Sequence, residues 1–242
     1  MSFITQNSGQ FPYFNLQLRE PVWQGKRVLD FGGNIGNVLH HPTSTIEHDK
    51  YWCLDVSRDA IEMGSKGAPK AHFVFYDRYN PEYNPLGKKT LPLPTFQAAF
   101  DFILALSVFT HTPRVEMIDF VSQLRRFLNS SGRMAFTFLD PHYTPADSQL
   151  CNLKYYCEQR LDQRLMPFFL DDPKQLQDLT WCTLAAGTLM INSDDPVAAG
   201  ASETDYLVFY TPDYLTTIFP DAEIRHPVAP FARQHCCIFT HA

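Results

Sequence analysis

An acidic residue and several glycines follow one short apolar run near the start of the chain. Residues 28–37 read Val-Leu-Asp-Phe-Gly-Gly-Asn-Ile-Gly-Asn, so glycines at 32, 33 and 36 come soon after Asp30. Glycine lets the backbone turn sharply out of a strand and lets a ligand approach bare backbone. The first N–H groups of a following helix would face that ligand and would favour an anionic group. The segment therefore predicts a turn that binds a small molecule partly through its backbone.

Two common nucleotide-binding patterns do not fit this segment. A dinucleotide fingerprint, Gly-x-Gly-x-x-Gly, starting at Gly32 would need glycines where the sequence has Asn34 and Asn37. A phosphate-binding loop of the Walker type would need Gly-Lys-Ser/Thr, which is missing. A plain strand–turn–helix connection stays open as an alternative, because glycine-rich turns are common in α/β sheets.

Apolar runs alternate with helix-like segments in the first half of the chain, which is the pattern of a parallel sheet with crossover helices. A short helix is expected at 36–41, a second after the N-cap Ser57, and a third after the capping pair Thr112-Pro113. The predicted strands are 26–31, 51–55, 71–75, 100–106, 133–138, 206–210, 222–228 and 236–240.

The turn after the first predicted strand resembles the first motif of the class I S-adenosylmethionine-dependent methyltransferases, acidic-x-Gly-x-Gly-x-Gly. The chain has Asp30-x-Gly32-x-Asn34-x-Gly36, so asparagine replaces the middle glycine. Asparagine tolerates a left-handed backbone better than other non-glycine residues, and we therefore expect the turn to survive this replacement.

Two later segments also resemble motifs of this family. Residues 100–107 are similar to its fourth motif, and residues 128–138 to its post-helix turn and fifth strand. The resemblance implies one α/β domain over residues 1–242, built on a seven-stranded mixed sheet of order 3-2-1-4-5-7-6 with helices on both faces. Residues 140–203, which are polar, aromatic and irregular, are expected to form a substrate cap inserted between strands five and six. Residues 1–25 are expected to close the other side of the site.

The resemblance implies that S-adenosylmethionine lies across the carboxyl ends of strands one to four. Gly32–Gly36 would face its methionine part, Asp55 would accept hydrogen bonds from the ribose hydroxyls, and Tyr76 with Asp77 would flank the adenine. The residues expected to bind the cofactor are Asp30, Phe31, Gly32, Gly33, Asn34, Gly36, Asp55, Val56, Tyr76, Asp77, Leu106 and Ser107.

Three of these assignments have a plainer structural alternative. Asp55 could cap a helix beside Ser57, and Val56 could simply pack in the core. Asp77 could pair with Arg78 or cap its own loop.

His111 is the residue expected to act as a general base. It follows the fourth predicted strand in Ser-Val-Phe-Thr-His-Thr, residues 107–112, and the resemblance places this stretch beside the methyl group of the cofactor. A histidine has an unperturbed pKa suited to taking a proton from an acceptor hydroxyl or amine. The structural alternative is that His111 caps or packs at the helix that Thr112 begins.

Composition favours a small-molecule acceptor. The formal net charge of -6 provides no general attraction for nucleic acid, and no basic patch stands out among the 242 residues. The Asn/Pro-Pro-Tyr/Phe signature of enzymes that methylate bases or glutamine is absent after the fourth strand, where Ser107–Thr110 stands instead. No metal-ligand spacing, apolar span or signal peptide is recognised, so a metal-free cytoplasmic enzyme away from membranes is expected.

The leading hypothesis is therefore a methyltransferase that acts on oxygen, or less favourably nitrogen, of a small metabolite. A catalytically degenerate module that binds the cofactor or a partner is the first alternative, because the middle glycine is lost at Asn34. A protein-directed methyltransferase is the second. The sequence leaves the acceptor and the oligomeric state open.

Overall fold

The computed structural model describes residues 9–143, 153, 179–185, 188–191, 206–228 and 233–241. Its α-helices in these ranges are α1 (Gln10–Gln17), α2 (Arg58–Gly67), α3 (Arg114–Arg125) and α4 (Pro212–Ile218). Its strands there are β1 (Val28–Phe31), β2 (Tyr51–Asp55), β3 (His72–Phe75), β4 (Phe100–Ala105), β5 (Leu128–Phe138), β6 (Trp181–Ala185), β7 (Thr188–Ile191), β8 (Tyr206–Tyr210), β9 (Glu223–Arg225) and β10 (His235–Thr240).

Seven of these strands form one sheet in the order β3-β2-β1-β4-β5-β10-β9. When only the strands of this sheet are counted along the chain, that order is 3-2-1-4-5-7-6, and the predicted fold class is confirmed. The pairs β1–β2, β2–β3, β1–β4 and β4–β5 are parallel, so these strands end at the same edge. All four residues of β1 are buried, as expected for a central parallel strand that is covered on both faces.

A second, three-stranded sheet has the order β7-β6-β8, and its strands are antiparallel. The strand predicted at 206–210 exists, but it pairs with β6 in this small sheet. The facing pairs Cys182–Phe209 and Leu184–Leu207 contribute to one apolar cluster with Leu139, Leu153 and Leu179. Periodicity along a single strand does not tell which strand it pairs with, and the sequence analysis therefore missed this sheet.

The chain divides into two compact units. The first comprises residues 1–108, 119–136 and 238–242, and the second comprises residues 109–118 and 137–237. The core of the first unit includes the fully buried side chains of Leu29, Tyr51, Phe100 and Phe136. Within this unit, the Trp23 ring lies 4.5 Å from the Phe102 ring of β4, so the aromatic residues near the N-terminus join this core.

Two local predictions are corrected by the structure. Residues 36–41 were expected to be helical, but residues 34–40 form consecutive turns, because Gly36 has a φ of 85° that no right-handed helix contains. Strand β5 begins at Leu128 rather than at residue 133, and its register against β4 shifts between Phe100 and Phe102. Residues 129–132, where a turn was expected, are therefore part of β5 and lie where its pairing with β4 is irregular.

The buried face of α3 differs from the one that its sequence predicts. The three- and four-residue spacing of apolar side chains predicts a buried stripe of Val115, Ile118, Val121, Leu124 and Leu128. Val115 was expected in that stripe, but its side chain is 57% exposed, whereas Met117, Phe120, Val121 and Leu124 are buried. The helix uses Met117 and Phe120 because these larger side chains bury more apolar area than Val115 would.

Much of the expected cap at 140–203 lies outside the described residues, including its aromatic residues Tyr155, Tyr156, Phe168 and Phe169. Trp181 is described and buried in the second unit, with the Arg114 guanidinium 5.1 Å from its ring centre. None of the helices in the described ranges has the length and apolar character needed to cross a membrane. Those ranges also contain no cluster of three or more His, Cys, Asp or Glu side chains that could hold a metal ion.

Candidate functional site

The turn after β1 alternates its backbone conformation. Gly32, Asn34 and Gly36 all have positive φ angles, of 74°, 54° and 85°. The turn is fastened to the sheet because the Gly32 N–H donates a 2.7 Å hydrogen bond to the carbonyl of Leu54 in β2. Asn34 therefore adopts the left-handed conformation that the motif requires at its middle position, as the sequence analysis predicted.

The glycines at 32 and 33 are required by close packing. A Cβ atom on Gly32 would overlap the Val108 side chain, which shows that the segment after β4 lies directly against this turn. A Cβ atom on Gly33 would stand 2.6 Å from Cγ of Asp30 and 2.9 Å from Sγ of Cys53. Real Cβ atoms do not approach so closely, so a larger residue would push the turn away from Asp30.

Asp55 ends β2, and backbone groups hold both of its carboxylate oxygens. Oδ2 accepts a 2.8 Å hydrogen bond from the Asn34 N–H, and Oδ1 accepts one of 2.8 Å from the Ser57 N–H. Burial raises the pKa of Asp55 above its usual value, while these backbone donors lower it. The backbone N–H of Val56 also acts on this carboxylate. Because a carboxylate has about four lone-pair sites, it can still accept a further hydrogen bond. The residue that caps α2 is Ser57, whose Oγ accepts from the Ala60 N–H at 3.3 Å.

Asp30 lies below the turn, with only 1% of its surface exposed. The hydroxyl of Tyr51, the first residue of β2, donates a 2.5 Å hydrogen bond to Oδ2 of Asp30. The pKa of Asp30 is raised to about 7, because burial raises it more than the Tyr51 hydroxyl lowers it, and the negative charge of Asp55 adds to the increase. Cys53 completes this layer, since its Sγ donates to the Asn34 carbonyl at 3.3 Å and burial raises its pKa well above the usual value.

Tyr51 was not among the site residues predicted from the sequence. The register pairs Asp30 with Cys53 and Val28 with Tyr51. Tyr51 therefore stands two residues before Cys53 and projects from the same face of β2, where it reaches the carboxyl of Asp30. The sequence does contain a signal for this contact. Cys53 lies opposite Asp30, and a residue two positions before Cys53 has its side chain on the same face of the sheet as Cys53 and Asp30. That position could be found only once the register was known.

Tyr76 and Asp77 follow β3 at the same edge of the sheet. The Tyr76 N–H donates a 2.8 Å hydrogen bond to the carbonyl of Asp55, and its buried hydroxyl donates to the carbonyl of Leu91. Oδ1 of Asp77 accepts a 3.2 Å hydrogen bond from the side-chain amide of Asn84. Asp77 thereby contacts a residue of its own loop, which agrees with the loop-stabilising alternative.

The remaining predicted residues of the first unit lie in the same neighbourhood. Phe31 is buried at the end of β1, with its ring 5.4 Å from that of Phe120. Val56 and Leu106 are partly buried, and Ser107 has a φ of 57° in a strained left-handed conformation. All twelve residues expected to bind the cofactor thus belong to the first unit and lie at or just after the carboxyl ends of β1 to β4.

His111 belongs to the second unit. It is exposed on the connection between β4 and α3, between the buried residues Thr110 and Thr112. The helix begins at Arg114, and its first backbone hydrogen bond runs from Met117 N–H to the Pro113 carbonyl at 2.8 Å.

The family model described as a methyltransferase domain matches residues 29–134, which include the turn, both aspartates and the end of β4. Over residues 29–134 the chain matches a methyltransferase domain, and this match supports an enzyme of the methyltransferase type. The matched segment contains the glycine turn and the carboxyls of Asp30 and Asp55.

Solved structures share the methyltransferase fold at low sequence identity. A protein from Pyrococcus horikoshii OT3 is 12% identical, with a TM-score of 0.55, and the match covers 99% of this chain and 93% of that one. An amino pentose methyltransferase from Micromonospora echinaspora is 11% identical, with a TM-score of 0.52 and coverage of 100% and 92%. A SAM-dependent methyltransferase from Aquifex aeolicus is 12% identical, with a TM-score of 0.50 and coverage of 98% and 94%.

Proposed function

We propose that the protein transfers the methyl group of S-adenosylmethionine to an oxygen, or less favourably a nitrogen, of a small-molecule metabolite. The observation that carries this proposal is the arrangement of Asp55. Its two oxygens are oriented by the backbone N–H groups of Asn34 and Ser57 at the edge where β1 and β2 end, and a carboxylate has about four lone-pair sites in all. A carboxylate held in this way suits two adjacent hydroxyls of a ribose.

In the proposed pose, the rest of the cofactor follows the edge of the sheet on both sides of Asp55. Gly32–Gly36 face the methionine part, and Asp30 lies beneath it. Val56 lies against the adenine, which Tyr76 and Asp77 flank, while Leu106 and Ser107 run below the sulfur. The close approach of Val108 to Gly32 supports this pose, because it brings the end of β4 against the turn after β1.

The residues present fit this cofactor and define what the protein contributes to the reaction. When bound, S-adenosylmethionine supplies an electrophilic methyl group on a positively charged sulfur. The glycine turn and Asp55 would orient it, so that an acceptor could approach in line with the carbon–sulfur bond. His111, four residues after Ser107, would accept the proton of the acceptor hydroxyl or amine on an imidazole nitrogen.

The acceptor is proposed to be small and uncharged or cationic. The net charge of -6 opposes binding of nucleic acid, and an amino pentose methyltransferase has the same fold. We propose that residues 140–203 cover this acceptor as a cap and that residues 1–25 close the other side of the site.

The experiment that tests the proposed function has two stages. Isothermal titration with S-adenosylmethionine measures cofactor binding, and formation of S-adenosylhomocysteine is then followed against a panel of hydroxylated and aminated metabolites. We expect binding and turnover on at least one member of the panel. Tight binding without turnover on any metabolite or protein substrate would instead support the degenerate module, and turnover on proteins alone would support a protein-directed enzyme.

A further inference from the structure

We propose that Tyr51 is a positioning residue for Asp30, and that binding of the cationic methionine part of the cofactor releases one proton from the Asp30 carboxyl. This inference rests on the proposed cofactor pose. It adds a residue and a proton-coupled step that the pose by itself does not require.

The geometry of the pair supports a direct link between the two groups. Tyr51 is 0% exposed and Asp30 is 1% exposed, and the Tyr51 hydroxyl donates to Oδ2 of Asp30 across 2.5 Å. This distance lies in the range of O–H···O hydrogen bonds to an ionised acceptor. Because both side chains are buried away from solvent, removal of the hydroxyl would leave the ionised carboxyl of Asp30 less stabilised.

Among the residues that the structure describes, the titratable groups that act on Asp30 provide no positive charge. From β2, the hydroxyl of Tyr51, the thiol of Cys53 and the carboxyl of Asp55 act on it, and on β4 its register partner is the apolar Leu104. Within the described part of the chain, the side chains that shift the pKa of Asp30 are therefore neutral or negative. Its pKa of about 7 follows from burial without a cation to offset it.

A cation that reaches this carboxyl changes its protonation. The α-ammonium group of S-adenosylmethionine or S-adenosylhomocysteine would interact favourably only with the ionised form of Asp30. At neutral pH, Asp30 is protonated in a fraction of the protein molecules. In these molecules the O–H bond of the Asp30 carboxyl must break when the cofactor binds. The electron pair stays on the carboxyl oxygen, and the proton passes to the solvent.

Proton release makes the affinity depend on pH. Below a pKa of about 7, the fraction of ionised Asp30 falls about tenfold for each pH unit, and the affinity for the cofactor should fall with it. The Tyr51 hydroxyl lowers the pKa of Asp30, so Tyr51→Phe should raise it and move this loss of affinity to higher pH. At high pH, Asp30 is ionised in the free protein as well as in the complex, and the Tyr51 hydroxyl donates to it in both states. Loss of this hydrogen bond therefore destabilises both states equally and leaves the affinity for the cofactor unchanged.

The test uses S-adenosylhomocysteine, which needs no methyl acceptor. Isothermal titration at pH 6 in buffers of different ionisation enthalpy should show release of close to one proton. The dissociation constant of Tyr51→Phe divided by that of the wild type should be about ten to one hundred at pH 6 and should approach one at pH 9. The protonation of the ligand's own amino group affects both dissociation constants equally, so it does not change their ratio.

Two controls separate positioning from folding. Asp30→Asn has no carboxyl to titrate, so it should bind without the proton release seen in the wild type. Adenosine carries no ammonium group, and its affinity for Tyr51→Phe should equal its affinity for the wild type at every pH. Thermal unfolding of both variants reports whether they fold.

The outcomes distinguish this inference from the proposed function. If S-adenosylhomocysteine binds with no proton release at pH 6, or if Tyr51→Phe weakens ligand and adenosine equally at all pH values, Tyr51 is structural and the inference is wrong. If neither cofactor form binds the wild-type protein at any pH, the proposed function itself fails. Proton release without turnover on any acceptor would leave the inference standing and would contradict only the methyl-transfer proposal.

Discussion

The backbone N–H of Asn34 donates a 2.8 Å hydrogen bond to Oδ2 of Asp55, and this bond joins the turn after β1 to the end of β2. The bond forms because Asn34 adopts a φ of 54°, which directs its N–H toward the neighbouring strand. The two motifs that stand 21 residues apart are therefore one physical unit, in which the turn orients the carboxylate.

Removal of the Asp55 carboxylate should weaken cofactor binding. We expect Asp55→Ala to cost about 1–3 kcal/mol in the binding free energy of S-adenosylmethionine, the loss typical of hydrogen bonds to a charged group. Isothermal titration measures this change. Ser57→Ala is the matched control, because it removes the helix cap of α2 and should lower the melting temperature with little change in the dissociation constant. Equal affinity of Asp55→Ala and wild type would exclude Asp55 as a ribose ligand.

A substitution of Asn34 should affect stability and cofactor binding according to how well the new residue adopts a positive φ angle. Asn34→Gly should bind the cofactor within about threefold of the wild type, because glycine adopts a positive φ without strain. Asn34→Val should lose on the order of 1–2 kcal/mol of folding free energy, since a β-branched residue is strained there. Chemical denaturation and titration measure both effects. A valine variant as stable as the wild type would show that the turn tolerates a different backbone.

Gly33 should not accept a side chain. In Gly33→Ala the new Cβ would stand 2.6 Å from Cγ of Asp30, and we expect a loss of about 1–3 kcal/mol in stability together with weaker cofactor binding. Gly67→Ala is the control, because there the nearest atom to the new Cβ would be 3.5 Å away, an ordinary contact. Denaturation of the two variants side by side gives the comparison, and similar stabilities would contradict the packing argument.

His111 should matter for turnover if it takes the proton of the acceptor. His111→Ala should then lower kcat by about 10²–10⁴-fold without changing cofactor affinity. His72→Ala, at the amino end of β3, replaces another exposed histidine and should leave kcat nearly unchanged. Steady-state kinetics with the acceptor found in the panel measures both. A loss below about threefold in His111→Ala would assign this residue to structure.

The buried His235 should make the second unit sensitive to acid. Burial and the charge of His226, whose Nδ1 lies 3.1 Å from Nε2 of His235, lower the pKa of His235 to about 4. The unfolded chain therefore binds more protons than the folded chain between about pH 4 and 6.5, and stability should fall as the pH drops through this window. His235→Leu should reduce that fall by on the order of 1–2 kcal/mol between pH 7 and 5, measured by urea unfolding. A pH dependence equal to that of the wild type would contradict this role for His235.

Titration of Asp30 should change the stability in the opposite direction to that of His235, lowering it as the pH rises. Its pKa is raised from 3.8 to about 7, so the folded state holds a proton that the unfolded state loses, and its contribution to stability is lost as the pH rises through this window. Asp30→Asn should therefore gain stability relative to the wild type when the pH is raised from 5 to 8. Urea unfolding at the two pH values measures this difference, and a constant difference would show that Asp30 does not titrate there.

Much of the first unit could be predicted from local patterns. The parallel strands β1 to β4 were placed to within about two residues, because fully buried strands are short apolar runs bounded by glycine, proline or charge. The left-handed conformation of Asn34 was predicted from the motif, since the conformational preference of a residue depends mainly on its own side chain. The helix expected at 36–41 failed because Gly36, which serves the turn, also prevents a helix from starting there.

The sequence by itself determined the fold class and the position of the glycine turn, both of which depend on the order and spacing of residue types along the chain. Only the tertiary structure decided that Tyr51 reaches Asp30, that Asp55 is oriented by two backbone donors, and that β8 joins a second sheet. Each of these depends on strand register or on contacts between segments distant in sequence, and a shift of one residue in register would turn Tyr51 to the opposite face of the sheet.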